Sequence, residues 1–332
     1  MTRYILRRCL SMVFIILATA FVIFTILYFT PGDPARQLLG SSATNAEVAA
    51  YREQLGLNQP YLVQLGQYFY NTFIRFDFGI SWLYHVPVFD ELLTRMPRTL
   101  IIGLSAMVLN LVIGLALGIF AGTHEGRWQD STSMSVAMLF ISAPDFWVAL
   151  MMIVLFSKIL GWLPAYGIGG PQYYIMPIIC AALPGIAVNA RQARSSILEV
   201  FREDFVTTAR AKGQREDVVV RAHMLPNALT PIITSVGSGF SRIVAGAPVI
   251  ETVFAIPGVG VYMLSAINAR DYPAVRASVL FFAVFTAVAM LVVDLAYAFV
   301  DPRIKARYSG GGTRKKKALR IPAPARLQEV KA

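Results

Sequence analysis

The sequence predicts an all-α integral membrane protein with six transmembrane helices and a small external domain between the first and the second. Three observations carry that prediction. Hydrophobic residues make up 56% of the chain and charged residues 15%, with mean hydropathy +0.58, an apolar excess that soluble domains do not show. Six runs approach or exceed the roughly 20 apolar residues that a helix needs to cross a bilayer: Cys9–Thr30, Thr99–Ala121, Ser131–Phe156, Tyr173–Val188, Ala228–Ile250 and Ala274–Val300. The charge sits at the two ends. Arg3, Arg7 and Arg8, with ten Lys/Arg against Asp301 and Glu329 in the tail, account for the whole net charge of +11. A nucleic-acid-binding protein is also basic, but its charge is not confined to the flanks of apolar spans.

The first run follows Arg7-Arg8, as a secretory signal would. It is too long for a signal core, and Pro31-Gly32-Asp33-Pro34 stands where a small-residue cleavage site belongs. Residues 1–30 therefore form a cytoplasmic start and a retained first span. Residues 31–98 form the external domain, in which "YREQLGLNQPYLVQLGQYFYNTF" carries helical spacing interrupted at Asn58-Gln59-Pro60. This predicts two short helices.

Residues 99–303 form a five-helix core. Its first helix carries Gly103, Gly114, Gly118 and Gly122 along one face, the mark of close helix packing. The shortest run, Tyr173–Val188, contains Pro177 and Pro184, which predict a kink that a membrane helix tolerates. Residues 304–332, rich in Gly, Pro and Lys/Arg, predict a disordered basic tail that holds the last helix in orientation, with attraction to anionic lipid.

Orientation follows from Lys/Arg flanking the spans. The N-terminus, the Arg191–Arg221 segment with seven Lys/Arg and the tail fall on one side, whereas short loops on the other hold only Lys158 and Arg270. Both termini are thus expected in the cytoplasm. Cys9 and Cys180 lie inside apolar runs and read as small packing residues. His85, His124 and His223 are isolated and have no metal-ligand neighbour at useful spacing.

Within the core, residues 191–226 form a polar cytoplasmic region. In "QARSSILEVFREDFVTTARAKG", Ile197, Phe201, Phe205 and Ala209 recur every fourth residue, which predicts one apolar stripe on one helix. The stripe ends in small residues, Thr207, Thr208, Ala209 and Ala211, that let another surface approach the backbone. Gly213 after Lys212 is a helix stop. Arg215-Glu216-Asp217 opens a second short helix, and Leu225-Pro226 ends it. The result is a rigid elbow with two readings. It is a knob for a groove on another protein, or an amphipathic helix on the membrane surface. Glu199, Glu203 and Asp204 among the arginines suit anionic lipid poorly.

The pattern Ala209…Gly213…Leu225-Pro226 resembles the EAA loop of ATP-binding-cassette importer permeases, in which a coupling helix inserts into the ATPase subunit. Thr207 and Thr208 replace the usual Glu-Ala, and His223 replaces Ile. The "TARAKG" form is similar to that of the dipeptide, oligopeptide and nickel class. "RYILRR", "TPGDP", "LGLNQP", "DFGIS", "ETVFAIPGVG", "RDYPAV" and "VDLAYAFVDPRI" resemble the same class from Arg3 to Ile304. Phe76 stands where that class has Gly, and Ala255-Ile256 where an aromatic precedes Pro-Gly.

The resemblance implies a type I importer permease fold in a bacterial or archaeal inner membrane. It implies a second homologous permease subunit, two ATPase subunits and an external substrate-binding protein that docks on residues 31–98. Thr207, Thr208, Ala209, Arg210, Lys212, Gly213, Leu225 and Pro226 would form the coupling surface. This chain would bind no cofactor, and ATP and Mg would be handled by the partners. Consistent with that, no Gly-Lys dipeptide and hence no Walker A loop occurs. The cargo stays open between peptides and nickel complexes.

Four ionisable residues lie in or at the ends of spans, where charge is costly: Asp145, Arg242, Glu251 and Asp294. They line a translocation pathway, or Arg242 pairs with Asp145 or Asp294 and fixes helix packing. Neither an HExxH metal motif nor a Gly-x-Ser-x-Gly nucleophile elbow occurs, which argues against an intramembrane enzyme. An ion-coupled carrier, a channel or a membrane scaffold remain as alternatives, but a carrier or channel leaves the elbow unexplained.

Overall fold

Helices make up nearly all of the regular structure in the computed structural model, which describes residues 2–40, 42–225, 227–228 and 243–300. Pro226, Arg242, the side chain of Asp294 and the tail lie outside the described residues. The helices are α1 (Thr2–Phe29), α2 (Pro34–Leu39), α3 (Asn45–Gln54), α4 (Tyr61–Phe69, extended by a π turn to Arg75), α5 (Val88–Thr123) and α6 (Trp128–Ser142). They continue with α7 (Asp145–Met152, extended by a π segment to Ile159), α8 (Gln172–Phe201), α9 (Asp204–Ala211) and α10 (Glu216–Val218, extended by a π segment to Met224). Last come α11 (Ile243–Val253), α12 (Val259–Ala269) and α13 (Tyr272–Val300).

Among the described residues four helices, α1, α5, α8 and α13, are long and apolar enough to cross a membrane. The third predicted span is not one helix but two, α6 and α7, bent by 105°. Pro144 causes the break. Ala143 before it is extended (φ −81°, ψ 132°), because a proline ring pushes its predecessor out of the helical region. Most of the fifth predicted span lies outside the described residues, and α11 is its described end. The second span starts earlier than Thr99: α5 begins at Val88, with Asp90 and Glu91 in its first turn answering the positive end of the helix dipole. The fourth continues as α8 without interruption through Pro177 and Pro184 to Phe201.

Between α1 and α5 the two predicted short helices are present as α3 and α4, separated at residues 55–60. Thr44 and Glu47 form a reciprocal capping box at the start of α3, and Pro60 opens α4. A further short helix, α2, is capped by Asp33 with Pro34 in its first turn. The sequence carried that start signal, but the span prediction ended beside it.

The helix directions follow from the contacts. Gly114 faces Ile186 and Asn189, Gly118 faces Ala190 and Ala193, and Gly122 faces Arg194 and Ile197, so α5 and α8 advance in parallel. Bulk at these glycines would separate the helices, since in lipid close van der Waals packing holds helices together. Asn189 also donates to Asn110 across the pair at 2.6 Å. Gly103 differs: it faces Phe285 and Ile243 at 3.9–4.0 Å with room to spare. Arg276 near the start of α13 lies over the Phe24 ring near the end of α1, so those two run antiparallel. Val88 and Leu92 of α5 pack with Ala274 and Val275 of α13, so these run the same way.

The start of α1, the ends of α5, α8 and α13, and α9–α10 therefore share one face. The 31–87 segment and α12 occupy the other. A larger core unites α5, α7, α8 and α11 through Ile102, Val148, Met176, Cys180, Ile250 and Phe254, with Cys180 serving as a packing residue.

Candidate functional site: the polar elbow and the buried charges

The elbow begins where α8 stops. Glu203 is extended (φ −75°, ψ 145°) and Asp204 opens α9, so the predicted stripe through Phe205 and Ala209 is not continuous. Ile197 and Ala209 are buried, but Phe205 is 40% exposed. The physical reason is the acidic pair Glu203-Asp204, which is stabilised at a new helix start and not mid-helix. The inward residues of α9 are Val206 and Ala209. They form a small core with Ile197, Val219, Met224 and Ala228, against which Ile119, Phe201 and Leu225 pack.

Polar contacts stiffen this core. Arg210 donates to both carboxylate oxygens of Glu216 at 2.6 and 3.1 Å, and its guanidinium lies 4.1 Å from the Phe201 ring centre. One side chain thus ties α8, α9 and α10 together. The Arg210 hydrogen bonds hold the Glu216 carboxyl below its usual range. Across the turn, His223 Nε2 and Gln214 Oε1 are 2.8 Å apart. Gly213 has φ +76° with nothing within 4 Å of where a Cβ would stand, so glycine is needed there for conformation and not for space.

With Pro226 outside the described residues, the second helix ends at Met224 and is capped by Leu225. The Leu225 backbone is helical (φ −58°, ψ −46°), and Asn227 and Ala228 are helical too. Leu225 is held by packing on the elbow core, while the Asn227 side chain donates to the His223 carbonyl at 2.8 Å.

Of the predicted coupling residues, Thr207, Thr208, Lys212 and Gly213 lie on the exposed face. Ala209 and Leu225 turn inward, and Arg210 is committed to Glu216. Two apolar residues of the elbow, Phe205 and Val218 (41%), are also exposed; the sequence placed Phe205 on the apolar stripe, and reading Glu203-Asp204 as a helix start would have turned it outward. The elbow is fastened to the spans by Arg194 of α8, which grips Asp130 of α6 through two hydrogen bonds of 2.5 and 2.7 Å. Arg202 reaches Glu125 at 3.4 Å.

Of the four predicted membrane charges, the side chains of Glu251 and Asp145 are described. Glu251 has no exposed surface. It accepts from Thr99 Oγ1 at 2.6 Å and from the Val261 amide at 3.0 Å, while Thr99 Oγ1 accepts from the Val259 amide at 2.9 Å. Its carboxylate therefore staples the Phe254–Gly260 loop to α5. A Cβ on Gly260 would stand 2.7 Å from Pro248 Cα, and one on Gly258 would overlap the carboxylate itself.

Asp145 opens α7 immediately after the bend, half-buried, with Oδ2 3.5 Å from the Cβ direction of Gly246 on α11. Arg242 and the Asp294 side chain lie outside the described residues. Sequence reasoning gave no role to Asp271, which is fully buried and accepts from Ser81 Oγ, Leu83 N and Ala274 N at 2.5, 3.1 and 3.2 Å. It joins the "DFGIS" and "RDYPAV" stretches. No group of three or more His, Cys, Asp and Glu among the described residues is placed to hold a metal.

Residues 114–306 match the family described as binding-protein-dependent transport system inner membrane component, and residues 1–103 match its N-terminal companion. The chain belongs to this family. Two curated relatives extend over nearly all of it. The dipeptide transport system permease protein DppB of Alkalihalophilus pseudofirmus is 36% identical, covering 92% of this chain and 100% of that one. The glutathione transport system permease protein GsiC of Escherichia coli is 37% identical, covering 92% and 99%.

The MetNI methionine ABC transporter, solved facing inward, shares the fold. Its TM-score is 0.53 at 20% identity, over 63% of this chain and 96% of the other. An inner-membrane component of such a system works beside an ATPase and a substrate-binding protein.

Proposed function

We propose that this chain is one of two permease subunits of an ATP-driven, binding-protein-dependent importer of peptides. Two ATPases dock on the elbow, and a binding protein docks on the 31–98 segment. The observation that carries this reading is the elbow itself. It presents Phe205, Thr207, Thr208, Lys212 and Val218 outward, is braced by Arg210–Glu216, and is fastened to α6 through Arg194–Asp130. A surface displaced by an ATPase would thereby move α8, α6 and α5 together, and alternating access needs such a rigid link. The count of six spans adds the bent α6–α7 pair and the span that α11 completes to the four long helices. The shared face of the elbow and the start of α1, together with the basic residues there, supports both termini in the cytoplasm. Peptide cargo is supported by the dipeptide and glutathione relatives.

The test is purification of the tagged subunit from native membranes in mild detergent, with two variants at one position. Gly213→Ala strains the turn by about 1 kcal/mol, whereas Gly213→Arg adds a bulky cation to the outward face. We expect an ATPase and a second permease with the parent and with Gly213→Ala, and loss of the ATPase with Gly213→Arg. Recovery of the chain alone or as a homo-oligomer would refute the importer and leave a carrier or channel.

A further inference from the structure

A cavity of about 840 Å³ opens between the 31–87 segment and the adjoining ends of α1 and α13, a volume within the range of small-ligand sites. It is distant from the elbow and forms no part of the coupling argument. Arg276 and Tyr68 both line it. The Arg276 guanidinium lies 4.9 Å from the Tyr68 ring centre and 5.5 Å from that of Phe24, two rings that stack on each other. Of its donors only Nε has an acceptor among the described residues, the Tyr272 carbonyl at 3.2 Å.

The neighbouring acids direct their hydrogen bonds elsewhere, although Asp271 lies near enough to attract the Arg276 charge. Asp271 holds Ser81, Leu83 and Ala274, Asp33 holds Ala35 and Arg52, and Asp77 holds Gly79. The Tyr68 hydroxyl is buried and meets no donor or acceptor among the described residues. Burial pushes that phenol up to about 12, so at neutral pH it is a donor. A guanidinium with open donors beside an unpartnered hydroxyl is costly unless something completes it. A planar cation of this kind pairs best with a bidentate oxyanion.

We propose that Arg276 and Tyr68 form a binding site for the oxyanion of a ligand in this cavity, a phosphate diester or a carboxylate. Two sources have that chemistry. One is the headgroup of a phospholipid in the adjacent leaflet. Val22, Ile26 and Phe29 of α1 are exposed apolar residues, and Tyr28, Phe29 and Tyr61 cluster beside the cavity, as aromatic side chains do at membrane interfaces. The other is a small solute with a free carboxylate. The site stands whichever cargo the transporter carries.

The test uses the complete transporter purified in detergent, with its melting temperature followed during titration by three probes. These are dihexanoylphosphatidylglycerol, the dipeptide Ala-Ala, and the C-terminal amide of Ala-Ala as the control without an oxyanion. We expect a saturable rise with one of the first two and none with the amide. Arg276→Gln should weaken the responding probe by about tenfold or more, since it removes a charge-assisted contact, and Tyr68→Phe by roughly threefold to tenfold. Response to the lipid identifies a headgroup, and response to the dipeptide a carboxylate solute. If Arg276→Gln fails to assemble, Tyr68→Phe decides, because it removes one oxygen and keeps the ring. No saturable response to either oxyanion, or a response that survives the substitution used, overturns the proposal.

Discussion

A carboxylate with no exposed surface persists only if its oxygens are answered, and Glu251 answers both through Thr99 and the Val261 amide. In this arrangement the group holds the Phe254–Gly260 loop to α5. Glu251→Ala would leave a buried hydroxyl and a buried amide without an acceptor. We expect a loss of about 2–4 kcal/mol, seen as a lower melting temperature in detergent, with Glu251→Gln losing less because its carbonyl still accepts. Equal loss in both variants would show that the charge, not the acceptor, matters. Four residues on from Glu251, Ala255 has φ +50°, a left-handed conformation that costs an L-residue about 1–2 kcal/mol. Ala255→Gly should therefore raise stability by up to about 1 kcal/mol, after glycine's own entropy is counted. A fall in melting temperature would contradict the strain argument. Phe76, where the resemblance has Gly, is likewise left-handed at φ +55°, so that departure is one of side chain and not of backbone.

Elements were legible wherever the signal is local. Apolar length located α1, α5, α8 and α13, and Gly213 closed α9 as its residue type requires. What hid was non-local or averaged away. Thr99–Glu251 and Ser81–Asp271 join residues 152 and 190 positions apart, which no periodicity reveals. The break at Pro144 was visible in "SAPDF" but was absorbed into the hydropathy of Ser131–Phe156. The four glycines of α5 looked equivalent, yet three face α8 and Gly103 does not. We expect Gly118→Leu to reduce the folded fraction severely, since its Cβ would overlap Ala193 and the Ala190 carbonyl, while Gly103→Ala leaves it near the parent value. Size-exclusion profiles of both would check the contrast, and a tolerated Gly118→Leu would refute the parallel packing. In the elbow, Glu216 titrates below its ordinary value near 4.3 because Arg210 holds it ionised. Its contribution is thus fully present above about pH 4.3 and lost as pH falls through the lower folded value. At 59% exposure for Glu216 the effect is at most about 1 kcal/mol. Amide exchange in α9 should quicken below pH 4 and lose that dependence in Glu216→Gln.

At the scale of the whole molecule, the parallel pairing of α5 with α8 makes a demand on everything between them. Two neighbours that run the same way require the chain to return across the membrane, and only α6 and α7 lie on that route. If α6 and α7 make that return, as the proposed six-span count has it, the 105° bend is a broken crossing and not a re-entrant hairpin, even though neither half alone is long enough to span. Neither the hydropathy nor the bend favours one reading by itself; the register of Gly114, Gly118 and Gly122 against α8 favours the crossing. Single cysteines introduced after Cys9→Ala and Cys180→Ala test it: Glu53→Cys, Arg127→Cys, Lys158→Cys and Lys212→Cys, all at exposed positions. A membrane-impermeant maleimide applied to spheroplasts should label Glu53→Cys and Lys158→Cys, and should reach Arg127→Cys and Lys212→Cys only after permeabilisation. Labelling of Arg127→Cys and Lys158→Cys from the same side would make α6–α7 a hairpin, force α8 to run against α5, and undo the glycine register from which the topology is argued. Labelling of Lys212→Cys from outside would instead keep the fold but turn it over, placing the elbow beyond the reach of any cytoplasmic ATPase. The four positions together therefore separate an error in the fold from an error in the function.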